Sequence, residues 1–331
     1  MKKMFMLVVA GAMSAMAAAM AFAEPSVEIT EVKLADAREG TVEYAYNVSG
    51  DFEDFDGKYW DLVVKVTSGD GEKSAEVTNK FVKTGTTTKA VNVKALLGKA
   101  YPGVSLFAKL EEKNVSGVQL WADGPYFAEC NVGATKPEEY GYYFWWGDTV
   151  GYKRNANNDG LVSSKDGTTT IIFFSSDTTA GQTSNKDNST LQSEGWIDKS
   201  GNLVVTDDAA TNRDAARAHL GYPWRMMTAD EMDALLEKCT ATWTQQNGVS
   251  GCLFTGNTEG YTDKSIFLPA AGYGYSSILS ADGSLGYYWS STPSSDDTYC
   301  AWRLFCSAGV FISGIGKRYE GYPVRPVRDA K

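Results

Sequence analysis

Leu62-Val63-Val64-Lys65-Val66 places large apolar side chains at every second position, and the turn signal Ser68-Gly69-Asp70-Gly71 follows directly. Alternation with this period is typical of a β-strand with one buried face. Four further runs share the pattern: Val27-Ile29-Val32, Val42-Tyr44-Tyr46, Val91-Val93 and Val104-Leu106-Ala108. Turn signals separate them: Ser49-Gly50-Asp51, Thr84-Gly85-Thr86 and Tyr101-Pro102-Gly103. Residues 24–122 are therefore predicted to form an antiparallel β-sandwich.

The composition of the whole chain excludes several classes of function. Its 331 residues are 43% hydrophobic, which suffices for about two packed domains. Acidic residues number 41 against 31 basic ones, and the net charge of -10 argues against nucleic acid as a partner. The single histidine, His219, excludes mechanisms and metal sites that need two imidazoles. We expect no catalytic residues and no cofactor.

The N-terminus has the pattern of an export signal. Lys2 and Lys3 precede an uncharged apolar stretch, residues 4–22, which closes on Ala21-Phe22-Ala23. Signal peptidase recognises small residues at the first and third of these positions, here Ala21 and Ala23. Residues 1–23 are therefore predicted to be a signal peptide that is cleaved after Ala23. An uncleaved membrane anchor is the alternative. We expect a secreted, periplasmic or cell-surface protein that is not integral to the membrane after cleavage.

Export permits disulfides, and the chain has five cysteines, an odd number. Cys239 and Cys252 lie close in sequence and are the pair that we expect. Buried free thiols are the alternative. No Cys-x-x-Cys spacing of a redox or metal motif occurs.

From residue 123 onward the chain is dense in aromatic residues, Gly, Asn and Ser, and two helices are predicted. The first spans about Asp208 to His219 and ends at Gly221. The second begins with the capping box Thr228-Ala229-Asp230-Glu231 and carries an apolar stripe: Met232, Leu235, Leu236 and Cys239. His219, at the end of the first helix, is expected to be structural.

Residues 155–166 match the oxygen spacing of a calcium loop only in part. Asn155 stands where such loops begin with Asp, and Asp166 stands where they end with a bidentate Glu. An ordinary Asx-turn loop is the expected structure, and no metal site is predicted.

An ordered series of motifs extends from residue 130 to the C-terminus. It comprises Cys130-Asn131-Val132-Gly133-Ala134, Pro137-Glu138-x-Tyr140-Gly141, Tyr143-Phe144-x-Trp146-Gly147, Trp224-Arg225-Met226, Leu268-Pro269-Ala270-Ala271-Gly272, Tyr288-Trp289-Ser290-Ser291 and Gly321-Tyr322-Pro323-Val324-Arg325-Pro326-Val327. In this order the motifs resemble the major paralogous (FISUMP-type) domain of exported bacterial proteins. That domain is similar to the formylglycine-generating-enzyme branch of the C-type lectin-like fold.

The resemblance implies an α+β C-type lectin-like domain over residues 123–331, with specificity in long surface loops. It implies that Trp224, Trp289, Trp302 and Phe305 are mostly core aromatics and that Arg325 is a structural hydrogen-bond donor. The reactive cysteine motif of the enzymatic relatives has no counterpart here, so catalysis is not implied. The preceding segment, residues 24–122, looks like an immunoglobulin or fibronectin type III module.

Residues 287–322 also look like the variable region of lectin-fold receptors diversified by retroelements. The fixed frame of those receptors matches Trp289, Ser290, Ser291, Ala301, Leu304 or Phe305, Arg318, Gly321, Val324 and Arg325. The interleaved positions imply these ligand-binding residues: Tyr299, Arg303, Cys306, Phe311, Ser313, Ile315 and Tyr319. Burial in the core is the alternative for Phe311, Ile312 and Ile315, whereas Arg303, Ser313 and Tyr319 are expected to be exposed.

These observations favour an exported, non-enzymatic binding or adhesion protein with a protein or glycan ligand. A rigid surface of aromatic and small residues loses little entropy on contact. One alternative is a structural surface or matrix component that self-associates. Another is an enzyme on a formylglycine-generating-enzyme-like fold that uses acidic residues such as Asp148, Asp159 and Glu231.

Overall fold

The structure is a computed structural model that describes residues 26–36, 40–49, 58–79, 85–99, 103–114, 117–157, 160–174, 176 and 179–330. The predicted signal peptide lies outside these residues. The chain divides into two units, Met1–Val115 and Ser116–Lys331. Strands predominate over helices in both. Among the described residues, no helix has the length and apolar character needed to cross a membrane.

The period-two runs of the first unit are strands. They are β1 (Ser26–Asp36), β2 (Thr41–Ser49), β3 (Lys58–Ser68), β4 (Ser74–Asn79), β5 (Gly85–Asn92) and β6 (Val104–Asn114). Two antiparallel three-stranded sheets, in the orders β1-β2-β5 and β4-β3-β6, contribute to one hydrophobic core. Leu62, Val64 and Val66 are fully buried in it, as their alternation predicts.

One predicted strand position of the first unit is helical instead. Val93 begins the short helix α1 (Val93–Leu97) because the Asn92 side chain accepts a hydrogen bond from the Ala95 amide at 2.9 Å. Gly98, in the left-handed conformation with φ 86°, ends the helix.

The second unit begins earlier than the boundary predicted after residue 122. Strand β7 (Val118–Gln119) pairs with β8 (Tyr126–Phe127), and Leu120 and Trp121 are buried in the core of the second unit. The change in composition that we used to predict the boundary lies near Trp121, a few residues after the actual boundary. Strand β7, the first strand of the second unit, does not yet show that change.

Further strands of the second unit are short, and three helices interrupt them. The strands are β9 (Tyr152–Arg154), β10 (Leu161–Ser163), β11 (Arg225–Met226), β12 (Cys239–Gln246), β13 (Val249–Gly256), β14 (Ser265–Pro269), β15 (Tyr273–Tyr275), β16 (Ile278–Ser280), β17 (Gly286–Pro293), β18 (Cys300–Ser307), β19 (Val310–Lys317) and β20 (Pro326–Arg328). The helices are α2 (Asn188–Ser193), α3 (Ala215–Leu220) and α4 (Ala229–Lys238). The sheets include β11-β20-β8-β7, β12-β13-β14 and β17-β18-β19.

Helix α4 is confirmed with its capping box. The Thr228 hydroxyl accepts from the Glu231 amide at 3.2 Å, and the Glu231 carboxylate accepts from the Thr228 amide at 2.9 Å. Met232 and Leu235 are fully buried. The local sequence thus determines both the start of α4 and its buried face.

Helix α3 is shorter than predicted, although it ends at Gly221 as expected. Residues 208–212 form a turn, in which the Asp208 carbonyl accepts from the Asn212 amide at 2.9 Å. The N-cap is the buried Asp214, whose carboxylate accepts from the amides of Arg217 at 2.8 Å and Met226 at 2.7 Å. The second of these bonds joins α3 to β11 and could not be read from the local sequence.

The largest buried aromatics of the second unit are tied by hydrogen bonds. Trp289 donates its indole N–H to the Phe144 carbonyl at 2.8 Å, and Trp146 donates to the Ser290 carbonyl at 2.9 Å. Trp224 and Trp289 are buried as expected. Trp302 and Phe305 are half-buried, so the expectation that they are core residues is wrong in part.

Two arginines are fully buried in the second unit. Arg325 donates to Asn131 Oδ1 at 2.9 Å and to the carbonyls of Ala128, Glu129 and Phe267 at 3.0, 2.7 and 2.8 Å. Its predicted role as a structural donor is confirmed. Arg318 donates to Asn188 Oδ1 at 2.7 Å and to the carbonyls of Cys300, Thr183 and Lys186 at 2.9, 3.1 and 3.0 Å.

The expected disulfide between Cys239 and Cys252 is wrong, and all five cysteines are free thiols. In the register of β12 and β13, Cys252 lies opposite Trp243, four residues beyond Cys239. Four residues of strand span about 13 Å, well above the Cα separation of about 7 Å that a disulfide tolerates. The Cys252 thiol instead contacts that of Cys306, and this hydrogen bond and burial raise the pKa of Cys252.

Replacement of Arg325 by Lys is expected to destabilise the second unit by about 3 kcal/mol, because one ammonium cannot reach four acceptors that point at a guanidinium. Urea unfolding followed by tryptophan fluorescence measures this, since eight of the nine tryptophans lie in that unit. Arg154→Lys is the matched control: Arg154 pairs with Asp282 at the surface at 2.6 Å and should change stability by less than about 1 kcal/mol. Equal effects of the two substitutions would contradict the structural role of Arg325.

Candidate functional site

The antiparallel sheet β17-β18-β19 carries most of the ligand-binding residues predicted from the sequence. In its register Tyr287 lies opposite Phe305, Arg303 opposite Gly314, and Phe305 opposite Ile312. Directly opposed residues of an antiparallel pair place their side chains on the same face. The register therefore assigns the paired residues of the sheet to one of two faces.

One face of this sheet is directed into the core. Tyr288, Leu304 and Cys306 are fully buried there, and the Phe311 ring packs against Phe254 with centroids 6.3 Å apart. Helix α4 packs on the same face, where the Ser313 hydroxyl donates to the Asp233 carboxylate. Most of this face is covered, although Ile315 on it is exposed.

The opposite face bears a half-buried arginine among aromatic rings. The Arg303 guanidinium lies 4.8 Å from the ring centroid of Tyr287 and 5.2 Å from that of Phe305. Its Nε and Nη1 are buried and have no hydrogen-bond partner among the described residues, so Arg303 is less exposed than the sequence led us to expect. We call this surface the Arg303 face and define it by these residues: Tyr287, Arg303, Phe305, Ile312 and Gly314.

An opening adjoins Arg303. A Cβ built at Gly314 meets no described heavy atom within 4 Å, so the sheet has free space directly opposite the arginine. Gly316 is different, because a Cβ there would lie 2.7 Å from the Tyr322 hydroxyl and 3.2 Å from Arg303 Cδ. Gly316 thus lets Arg303 pack against Tyr322, while Gly314 leaves room for a foreign group.

Titratable groups border the Arg303 face. Burial raises the pKa of Glu320, whose carboxylate accepts a hydrogen bond from the Tyr322 hydroxyl. Burial also raises the pKa of Tyr287, an effect that the nearby Arg303 charge opposes. The Tyr287 phenol therefore stays neutral at physiological pH, and its hydroxyl is a donor as well as an acceptor.

This arrangement suits recognition. Nε and Nη1 of Arg303 are buried and bond to no acceptor among the described residues. Donation from them to a ligand carbonyl, hydroxyl or carboxylate would require the side chain to turn outward, and this movement would break no internal hydrogen bond of these two atoms. The rings of Tyr287 and Phe305 offer rigid contact area beside it.

The seven residues predicted to bind a ligand do not form one surface. Arg303 lies on the Arg303 face, whereas Cys306, Phe311, Ser313 and Ile315 belong to the opposite face of the sheet. Cys306 is 0% exposed, which rules out ligand contact by its side chain as the chain is folded. The alternation of side chains along β18 and β19 separates these positions.

Of the other predicted residues, Tyr299 and Tyr319 flank the sheet. Tyr299 is exposed just before β18, with the Lys317 ammonium 5.8 Å from its ring. Tyr319 is half-buried after β19, its ring 5.8 Å from that of Phe174. Burial in the core is wrong for Ile312 and Ile315, both of which are exposed.

Sequence reasoning missed Tyr287, Phe305, Ile312 and Gly314 as surface residues. The signal was present in the period of two: positions 303 and 305 alternate with the buried positions 304 and 306. The resemblance to a variable region selected the predicted binding residues by their sequence positions between the fixed residues. Sequence position alone does not tell on which face of the sheet a side chain lies.

The acidic residues considered for an enzyme do not converge. Asp148 is buried in a turn, where its carboxylate accepts from the amides of Val150 at 2.9 Å and Gly151 at 3.0 Å. Glu231 caps α4 and pairs with Arg225 at 2.6 Å. Asp159 lies outside the described residues.

The calcium-like segment uses its polar ends in turns. Asn155 accepts from the Asn157 amide at 3.1 Å, and the Asp166 carboxylate accepts from the amides of Thr168 and Thr169, each at 2.8 Å. These are Asx-type turns. Within the described ranges, no three His, Cys, Asp or Glu side chains are grouped so that they could hold a metal ion.

Comparisons of the chain with protein-family models, with curated proteins and with solved structures find no match.

Replacement of Gly316 by Ala is expected to destabilise the second unit by about 1–3 kcal/mol, because the new methyl group would overlap Tyr322 and push Arg303 aside. Gly314→Ala is the matched control on the same strand and should change the free energy of unfolding by less than about 1 kcal/mol. Urea unfolding of both variants measures the difference. If Gly314→Ala proved the more damaging, the opening beside Arg303 would not exist.

Asp148 is expected to make stability depend on pH. Burial raises its pKa from 3.8 to about 7, so between these values the folded state binds more protons than the unfolded state. The free energy of unfolding should therefore fall as pH rises through this window, by at most about 1.4 kcal/mol per pH unit from this group. Asp148→Asn should flatten that slope, and Asp230→Asn, at the exposed surface of α4, should keep it. Urea unfolding at pH 4.5, 5.5 and 6.5 tests this, and an unchanged slope in Asp148→Asn would contradict it.

Proposed function

We propose that this protein is an exported, non-enzymatic binding or adhesion protein that holds its partner through the Arg303 face. The observation that carries the proposal is the Arg303 guanidinium, which lies 4.8 Å from the ring centroid of Tyr287 and 5.2 Å from that of Phe305, beside the opening at Gly314. Its buried Nε and Nη1 atoms have no hydrogen-bond partner among the described residues. Arg318 and Arg325 have acceptors for all of their nitrogens and serve the fold. Arg303 differs from them because its Nε and Nη1 have no acceptor among the described residues.

Rigidity of the surrounding sheet supports a binding role. Tyr287 contacts Tyr273, Phe305 and Tyr322, in each case with ring centroids 5.1 Å apart. Side chains that packing holds in place lose little conformational entropy when a partner docks. Arginine and tyrosine, the residue types of Arg303 and Tyr287, are also enriched in interface hot spots.

The second unit, in this proposal, is a FISUMP-type domain with a C-type lectin-like arrangement. The buried donor Arg325 supports this assignment, since it belongs to the motif series that carries the resemblance. The first unit is an immunoglobulin- or fibronectin-like spacer, which its two three-stranded sheets around one core support. The leader, residues 1–23, would direct export.

The partner is a protein or a glycan, and nucleic acid is disfavoured by the net charge of -10. A carbonyl, hydroxyl or carboxylate group of the partner would receive the Arg303 donors. An apolar or small group would enter the opening at Gly314.

Binding of the full chain to a glycan microarray and to a protein microarray should identify ligands, and Arg303→Met should weaken their binding at least about tenfold. Gly314→Trp should have the same effect by filling the opening. Arg154→Met removes an equal charge from the surface elsewhere and should leave affinity unchanged. Retained affinity in both Arg303→Met and Gly314→Trp would overturn the proposal, as would turnover of a ligand by the chain.

A further inference from the structure

Strand β19 is the outer strand of its sheet. It pairs with β18 over its whole length without a register shift, and no other described strand pairs with it. Alternate N–H and C=O groups along its outer edge therefore point away from the sheet. An eight-residue strand offers about 26 Å of such edge.

This edge lacks the usual protection against pairing. Residues 310–316, Val-Phe-Ile-Ser-Gly-Ile-Gly, contain no charge and no proline. Val310, Ile312 and Ile315 are 44%, 48% and 42% exposed. Protein sheets normally blunt a free edge with lysine, proline or a bulge, so an unprotected apolar edge marks a place where another strand adds. Lys317 stands only at its end and pairs with Asp297 at 3.0 Å.

We propose that β19 accepts an extended segment of a partner protein as a fourth strand, and that this segment alternates apolar and basic side chains. The inference rests on the proposed binding function and specifies the partner as a polypeptide rather than a glycan. Main-chain hydrogen bonds to β19 would supply the affinity, and the two faces of the sheet would select the side chains.

The Arg303 face would favour the apolar side chains of the added segment. Ile312 lies on this face opposite Phe305, and Val310 lies two residues before it. Side chains of an added strand that project to the same side would cover both exposed residues. Each well-buried aliphatic side chain would remove apolar surface from water.

Helix α4 would favour the basic side chains of the added segment. The Asp233 carboxylate, which accepts from Ser313 of β19, is exposed and has no cationic partner among the described residues. Asp230 and Glu237 lie three residues before and four residues after Asp233, on the same side of the helix. Lys238 is the nearby cation, and it pairs with Glu237 at 2.8 Å. Side chains of an added strand that project toward α4 would therefore meet an excess of negative charge.

The same charges disfavour a second copy of this chain as the occupant. Antiparallel pairing of two β19 strands about a two-fold axis would bring the acidic sides of two α4 helices to one interface. Like charges placed this way repel, and each chain has a net charge of -10. A foreign basic strand has the complementary sign.

The test uses the full chain and a fluorescein-labelled nine-residue peptide of alternating Val and Lys, measured by fluorescence anisotropy. A Val-Glu peptide of the same length is the charge control, and a Val-Lys peptide N-methylated at alternate residues is the backbone control. Ile312→Lys places a charge on the edge and should weaken binding of the Val-Lys peptide at least tenfold. Ile278→Lys changes another exposed isoleucine, 53% exposed on the hairpin of β15 and β16, and should not.

The proposal expects the Val-Lys peptide to bind, to lose affinity severalfold in Asp233→Asn, and to slow amide exchange in β19. Absence of peptide binding, equal binding of the Val-Glu or N-methylated peptide, or equal loss in Ile312→Lys and Ile278→Lys would overturn it. Concentration-dependent dimerisation abolished by Ile312→Lys would also overturn it, in favour of a second copy. Ligand binding that depends on Arg303 but survives in Ile312→Lys would overturn strand addition alone and leave the proposed function standing.

Discussion

Burial of two guanidinium groups is the constraint on which the second unit depends. Arg318 and Arg325 are removed from water and form no ion pair with a described residue, so carbonyl oxygens and asparagine side chains must replace their hydration. The carbonyls come from distant loop segments, residues 128–129 and 183–186, and from the strands β14 and β18. Because an unsatisfied buried charge costs several kcal/mol, these segments are held in one arrangement. Long polar loops can thus be ordered without a large sheet.

The polar groups of the Arg303 face differ from these two fully bonded guanidinium groups. Arg303 lies one strand position from fully buried residues, yet its Nε and Nη1 have no acceptor among the described residues. Cation–π contact of the Arg303 guanidinium with the rings of Tyr287 and Phe305 compensates in part for the missing acceptors. This contact is weaker and less directional than the hydrogen bonds of Arg325. Arg318 and Arg325 therefore hold the loop segments in place, whereas Arg303 is the arginine that we propose to contact a partner.

Sequence reasoning succeeded where the determinant was local. The capping box and apolar stripe of α4 lie within twelve residues, and the alternation in β3 lies within five. It was wrong where the determinant was a contact across the chain. Asp214 starts α3 by also binding the Met226 amide of β11, and the register of β12 and β13 separates Cys239 from Cys252. The candidate site was predicted as a region of the sequence, but the face of the sheet on which each of its side chains lies could not be predicted, because that face follows from the strand register.

Strand β19 is at once a core strand and a surface strand. Phe311 reaches the core beside Phe254, while Ile312, the next residue, is exposed. Substitution at Phe311 would therefore act through stability, whereas substitution at Ile312 would act through whatever meets the edge. A binding surface built on such a strand can change only at alternate positions without disturbing the fold. For this reason, exchangeable positions in the sequence can be interpreted as ligand-contacting residues only when the face of the sheet on which each side chain lies is known.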